Sequence, residues 1–213
     1  MQGSDLNHGN EAKSPVSIVA VVGSYRKGGI IDQAVDHVLA AASEHGASTR
    51  KIYLLDKRIE FCTNCRCCTQ TTGLLPGHCV HQDDMQEMLT ELEDAQVVIL
   101  ASPMNFGQVT ALMKRFIERM LPYAYWPWGK MIPSVRRKGK HHKAVLVTSS
   151  TMPAFVGRIM TGIFGTLREA ANVMGARVAG RLYIGSVGLS SDQQLPEAAI
   201  RRARRIGTRI ARG

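Results

Sequence analysis

Apolar residues recur along this chain in two rhythms. Residues 16–22, 97–101 and 144–147 form short, nearly unbroken apolar runs. Runs of this kind suit parallel strands covered on both faces. Residues 49–55 and 177–184 mix polar with apolar positions and suit the edges of the same sheet. Between the runs the spacing is helical. Ile31, Ala34, Val35, Val38 and Ala42 share one stripe, and Met85, Met88, Leu89 and Leu92 share another, with Asp83 or Asp84 as its N-cap. Val109, Leu112, Met113, Phe116, Ile117 and Met120 make a third. Val156, Ile159, Met160, Ile163, Phe164, Leu167 and Met174 make a fourth, ended by Gly175. Pro196 stands near the start of a last helix, where proline is tolerated. All of these stripes read as faces turned to a core.

Strand followed by helix, five times over, predicts an α/β fold with a doubly wound five-stranded parallel sheet. Three fully buried strands and two half-buried ones match the order 2-1-3-4-5. In such sheets ligands bind beyond the carboxyl ends of the strands, at the switch point beside strand one. That rule selects the loops after Val22, Ala101 and Val147.

Composition narrows the class. With 213 residues, 45% apolar and 21% charged, the chain fits one soluble domain of 15–213 behind a polar tail, 1–14, read as disordered. That tail lacks the basic start and apolar stretch of a signal peptide, and no apolar run approaches the ~20 residues of a membrane helix. The expected location is cytoplasmic. The net charge of +10 gathers near the end, in Arg201, Arg202, Arg204, Arg205, Arg209 and Arg212. A solvated helix face or an acidic neighbour in an oligomer accounts for it. Nucleic acid is the weaker alternative, because no helix-turn-helix, zinc-finger or aromatic RNA-binding signature accompanies the charge.

The loop after strand one reads Gly23-Ser24-Tyr25-Arg26-Lys27-Gly28-Gly29, and a helix follows. A helix N-terminus offers free N–H groups and a positive dipole end. Ser24 adds a hydroxyl, Arg26 and Lys27 add charge, and Gly28 and Gly29 admit close approach. Two better-known motifs fail here: no Lys-Ser/Thr pair follows Gly28, and Gly23-Ser24-Tyr25 lacks the second glycine of Gly-x-Gly-x-x-Gly. The loop suits a terminal monophosphate.

After strand three the chain reads Ser102-Pro103-Met104-Asn105-Phe106-Gly107, then a helix containing Lys114-Arg115-Phe116-Ile117-Glu118-Arg119. Together with the first loop and Asp83-Asp84-Met85, this resembles the NADPH-dependent FMN reductase-like and iron–sulfur flavoprotein-like family of flavodoxin-like proteins. The resemblance covers roughly residues 16 to 185. Glu118 replaces the family's usual Asp, and Ile30-Ile31 stands where relatives place a polar pair. The resemblance implies non-covalent FMN. Its phosphate would lie on Ser24, Arg26 and the backbone of Gly28, Gly29, Ile30 and Ile31. Its ring would lie against Pro103, Met104, Asn105, Phe106 and Gly107, with Ser149, Ser150 and Thr151 at the ring edge or ribityl chain. The flavin carries the electron chemistry, so no acid or base residue is nominated. The missing polar pair implies weaker retention of FMN.

Five cysteines fall in 62–79. Cys62, Cys65 and Cys68 have Cys-x-x-Cys-x-x-Cys spacing, with Cys79 after ten intervening residues. Thiolates so spaced can hold a 4Fe–4S cluster, or zinc, or serve in thiol redox or packing. An aromatic and basic insert spans 122–142, with Tyr123, Tyr125, Trp126 and Trp128 followed by Arg136, Arg137 and Lys138. It reads as a subunit contact in a homodimer or homotetramer, or as a lid over the flavin of a neighbouring subunit, with the basic run a candidate partner for an NADPH phosphate. His141 and His142 read as structural or solvent-exposed. The function implied is electron transfer from NAD(P)H, through FMN, to a quinone, flavin or other small acceptor. The alternative is an electron carrier without NAD(P)H activity of its own.

Overall fold

A computed structural model describes residues 14–137, 139, 141–153 and 162–212. Five strands, β1 (Ser17–Val22), β2 (Ser48–Tyr53), β3 (Val97–Pro103), β6 (His142–Ser149) and β7 (Ala176–Ile184), form one parallel sheet in the order β2-β1-β3-β6-β7. This is the expected 2-1-3-4-5 order. The numbering differs because a small antiparallel ribbon, β4 (Ala124–Tyr125) with β5 (Ser134–Val135), lies within the insert. β1, β3 and β6 are buried almost throughout, whereas β2 alternates between exposed and covered positions.

Side chains alternate across a strand, so each central strand feeds two cores. On one face Ile18, Ala20, Val22, Ile99 and Val147 meet α1 (Ile30–Ser43) and α5 (Glu197–Ala211). On the other, Val19, Val21, Val98, Leu100 and Leu146 meet α2 (Met85–Asp94), α3 (Ala111–Glu118) and α4 (Ile163–Val173). All but three of the stripe residues singled out above pack into these cores. Val156, Ile159 and Met160 lie outside the described residues, as does the tail through residue 13. His142 is buried, its Nδ1 2.7 Å from the Ala95 carbonyl, and anchors the start of β6.

The caps are more particular than periodicity predicts. Thr110 caps α3: its Oγ1 accepts the Met113 N–H at 3.2 Å and donates to the Gly23 carbonyl at 2.6 Å. Asp84 stands at the N-cap of α2 without capping it, and accepts the Arg58 N–H instead. Asp83 accepts the Met85 N–H at 3.1 Å, but its main partner is elsewhere.

That partner is Arg119, at the C-terminal end of α3. Both side chains are buried, and two hydrogen bonds of 2.6 and 3.1 Å join guanidinium to carboxylate. Arg119 also donates to the Glu60 carbonyl and the Cys79 sulfur, and Asp83 accepts the Glu60 N–H. The pair thereby pins both ends of the 60–83 segment to α3. Burial alone pushes the Asp83 carboxyl up. Hydrogen bonds from Arg119, Glu60 and Met85 outweigh that and hold it below its ordinary value.

Breaking one side of such a pair strands the other charge, at a cost of about 3–5 kcal/mol. Asp83→Asn should therefore lower stability strongly at neutral pH. A depressed folded pKa contributes stability that is present above the unfolded value, about 4, and is lost as pH falls through the folded one. The gap between wild type and Asp83→Asn, measured by denaturant titration from pH 7 to pH 3, should narrow below about pH 4.

Candidate functional site

The carboxyl ends of β1, β3 and β6 open onto a cavity of about 610 Å³. Ser24, Arg26, Gly28, Gly29, Ile30, Ile31, Pro103, Asn105 and Ser149 all line it. All three selected stretches thus reach the cavity, the third through Ser149, the last residue of β6. Met104, Phe106, Gly107, Ser150 and Thr151 are not part of the lining. Met104 packs against the core, and the Ser150 hydroxyl is 2.6 Å from the Tyr183 hydroxyl. Asn105 and Gln108 close a tight turn by reciprocal N–H to carbonyl bonds. Its two central residues, Phe106 and Gly107, both have positive φ, as a type I′ turn requires, and the Phe106 ring is fully exposed.

The first loop is set by local bonds. Ser24 Oγ accepts the Arg26 N–H at 3.1 Å, making a compact turn. Gly23 is pressed against α3: a methyl there would sit 2.7 Å from Met113 Cβ, so only glycine lets β1 run out beside that helix. Asp32 accepts the Gly28 N–H at 2.6 Å, and its carboxylate also takes Lys51 at 2.7 Å and the Tyr53 hydroxyl at 2.8 and 3.0 Å. Burial raises the Asp32 pKa, but the bonds from Lys51, Gly28 and Tyr53 leave it lowered overall. Lys27 pairs with Asp56 and lies over the Tyr53 ring. Ile31 is buried in the α1 core, so the residue that takes the place of a polar helix start contributes packing instead.

A fourth wall was missed by pattern reading. The segment after β7 brings Val187, Gly188 and residues 190–194 to the cavity. Arg26 donates to the Ser191 carbonyl. Gln33 donates to the Gly28 carbonyl at 2.8 Å and accepts the Leu195 N–H at 2.8 Å, bridging the first loop to this segment. The polar run Ser190-Ser191-Asp192-Gln193-Gln194 before Pro196 is the only sequence signal that could have found it.

The cysteine segment and the insert form one unit beside α3. Arg136, one of the basic residues that the alternative reading of the insert offers to an NADPH phosphate, is buried and donates to the carbonyls of Pro122, Thr71 and Cys68 at 2.7–2.8 Å. Arg137 pairs with Glu93 at 3.3 Å, and Lys138 lies outside the described residues. Gly77 threads so closely past Cys68 that a methyl would lie 1.8 Å from its carbonyl oxygen. Arg66 is flanked by Trp126 and Trp128, whose ring centroids are 3.7 and 4.3 Å from its guanidinium carbon. It also donates to the carbonyls of Trp126 and Pro127. Its φ of 59° is left-handed, a conformation that costs a non-glycine residue about 1–3 kcal/mol.

Among the described residues no three His, Cys, Asp or Glu side chains converge to hold a metal ion. Cys68 is buried, and burial followed by the charges of Cys79, Cys62 and Cys65 pushes its thiol up to about 11. Cys79 is engaged by Arg119. Among the described residues Cys62, Cys65, Cys68 and Cys79 do not converge into a formed cradle for a cluster. A second cavity, of about 620 Å³, lies between Cys62, Asn64, Trp126, the end of α3 and the ribbon, and shares no lining residue with the first.

The description that matches residues 16–179 as a family is NADPH-dependent FMN reductase. An iron-sulfur flavoprotein of Archaeoglobus fulgidus is 37% identical over 129 residues, 61% of this chain and 53% of that one. The chain thus spans about half the length of the curated relative it matches. Among solved structures, an NAD(P)H:quinone oxidoreductase from Methanothermobacter marburgensis superposes with a TM-score of 0.68 at 15% identity, over 91% of this chain and 98% of the other. An FMN-dependent NADH-azoreductase from Bacillus anthracis does so with a TM-score of 0.66 at 9% identity, over 92% and 99%. Those two likenesses establish a flavodoxin-like fold, and the family match extends over three quarters of the sequence. On these grounds the chain belongs to the NADPH-dependent FMN reductase family.

Proposed function

We propose that the protein binds FMN in the first cavity and catalyses electron transfer from NAD(P)H to a small acceptor of the quinone, flavin or azo class. The observation that carries this reading is the convergence of the loop at the start of α1 with Pro103, Asn105 and Ser149 on one cavity. Its volume falls in the ~300–1,000 Å³ range of cofactor sites. FMN held there would supply the hydride and electron-transfer chemistry between the nicotinamide and the acceptor.

The residues' part is to bind and orient. The first loop and the N-terminus of α1 receive the phosphate through backbone N–H groups and Arg26. Asp32 holds the Gly28 N–H in place, and Lys51 offsets its charge so that a phosphate is not repelled. Pro103 and Asn105 would bound the ring side, next to the exposed Phe106 that follows Asn105 in the chain. No residue is needed to move a proton. The exposed apolar side chains of Phe61, Leu74, Leu75, Val80, Met131 and Ile132 support a homo-oligomer in which a second copy covers some of them. The family reading favours a cytoplasmic enzyme, and among the described residues no helix is long and apolar enough to cross a membrane.

Purified protein supplied with FMN should turn yellow and oxidise NADPH or NADH in the presence of a quinone or azo dye. Failure to take up FMN overturns the reading, while uptake without nicotinamide oxidation favours the electron-carrier alternative. Arg26→Ala removes one charge-assisted contact, about 1.5–3 kcal/mol, and should weaken FMN roughly ten- to hundredfold while leaving riboflavin binding unchanged. Ile30→Thr restores a hydroxyl at the helix start and should tighten FMN by about three- to tenfold, read by flavin fluorescence titration. Light scattering coupled to gel filtration should report a dimer or tetramer, and Met131→Asp with Ile132→Asp should shift it to the monomer.

A further inference from the structure

The two cavities have nearly equal volumes, about 610 and 620 Å³, but contrasting chemistry. The first is lined by Arg26 and Lys27. Among the described residues no lysine, arginine or histidine lines the second, and its one charged group is Glu118, 3.7 Å from Lys114. Most of its wall is carbon, from Ile117, Met120, Ala124, Val135 and Val173. These stand on the end of α3, the ribbon and the last residue of α4. Met120 and Ala124 are buried, so the cavity reaches down to the core.

Trp126 adds an aromatic wall, and the protein holds it still. Its backbone N–H donates to the Thr69 carbonyl at 3.0 Å. Its carbonyl accepts from Arg66 at 2.6 Å, from the Thr69 hydroxyl at 3.1 Å and from the Gln70 amide at 3.3 Å. The indole N–H donates to the Lys130 carbonyl at 2.8 Å. The Arg66 guanidinium covers one face of the ring, its carbon 3.7 Å from the ring centroid. Every polar group of Trp126 is thus spent, and what it offers the cavity is ring carbon. Asn64, which lines the cavity, and Arg66, which backs the indole, both have positive φ, 57° and 59°. Backbone held in such costly conformations gathers at ligand clamps. A wall fixed in advance adds little ordering cost when a ligand arrives.

We propose that the second cavity binds a small, planar, fused-ring aromatic molecule that is uncharged and carries one hydrogen-bonding group. Its volume suits a small-molecule site, for which ~300–1,000 Å³ is usual. The fixed indole and the surrounding aliphatic side chains suit a flat ring. The Ser134 hydroxyl is already engaged, accepting from Lys130 at 2.8 Å and donating to the Tyr125 carbonyl at 3.3 Å. The Asn64 amide has no partner among the described residues and is the group left to meet a ligand hydroxyl. A phosphate, sulfonate or carboxylate would give up its hydration and meet Glu118, with no lining cation in return. FMN and NAD(P)H are unsuited on that ground, so this site stands or falls apart from the reading of the first cavity.

The test uses the whole purified chain and 2-naphthol, which is uncharged at neutral pH, followed by isothermal titration calorimetry. One 2-naphthol should bind per chain, equally with and without FMN in excess. 2-Naphthalenesulfonate, the same rings with a permanent negative charge, should bind at least about tenfold more weakly. Val173→Phe fills the cavity and should weaken 2-naphthol by at least about tenfold. Asn64→Gly keeps the left-handed backbone, removes only the amide, and should weaken it about three- to tenfold. Circular dichroism identical to wild type shows that each variant is folded. Absence of 2-naphthol binding overturns the proposal. So do displacement of 2-naphthol by FMN, equal affinity for the sulfonate, or unchanged affinity in both variants. Affinity that falls as the chain self-associates also overturns it, because a second copy then takes the cavity.

Discussion

The buried pair between Arg119 and Asp83 is the constraint on which the upper half of this molecule depends. A parallel sheet with helices on both faces needs nothing of the kind to fold. What needs it is the stretch between β2 and α2, some thirty residues that hold only two short 3₁₀ turns and no strand or longer helix. Such a stretch has too few backbone partners of its own. The guanidinium supplies them: it draws Glu60, Cys79 and Asp83 to the end of α3, and the cysteines between are placed as a consequence.

From that anchor the insert is assembled by cations acting on carbonyls. Arg136 gathers three carbonyl oxygens from 68, 71 and 122, and Arg66 gathers two from the insert while filling the gap between two indoles. Neither has an acidic partner among these contacts. Arginine suits this task because its planar fork serves several acceptors at once and its charge is weakly hydrated. The basic run that looks from its composition like a docking site for an anion is, in its described part, internal mortar.

Much of this architecture is legible along the chain, and the reasons are physical. Unbroken apolar runs at 97–101 and 144–147 can only be covered on both faces, and the order of edges and centre follows from them. Ser24, Arg26 and Gly28 could be placed on a cavity because topology alone puts the end of β1 at the switch point. Ser150 and Met104 read from sequence as site residues yet lie outside the cavity lining, because a loop's side-chain directions depend on tertiary partners, here Tyr183 and the core. The wall formed by 187–194 escaped for a related reason: nothing in a polar run says which distant helix it will lie against. Asp83 or Asp84 reads locally as a helix cap, whereas a partner thirty-six positions away claims most of the Asp83 carboxylate.

Gln33 joins two stretches that the chain keeps far apart. Its amide holds Gly28 on one side and Leu195 on the other, a separation of more than 160 positions. Contacts of that span close late, because the loop between them must be ordered first. During synthesis the sheet's first strands and the phosphate-binding turn emerge early, yet the cavity lacks its fourth wall until the last strand has been laid down and the segment beyond it has folded back. A nascent chain therefore has no finished pocket to fill, and the ligand site is completed as one of the last acts of folding.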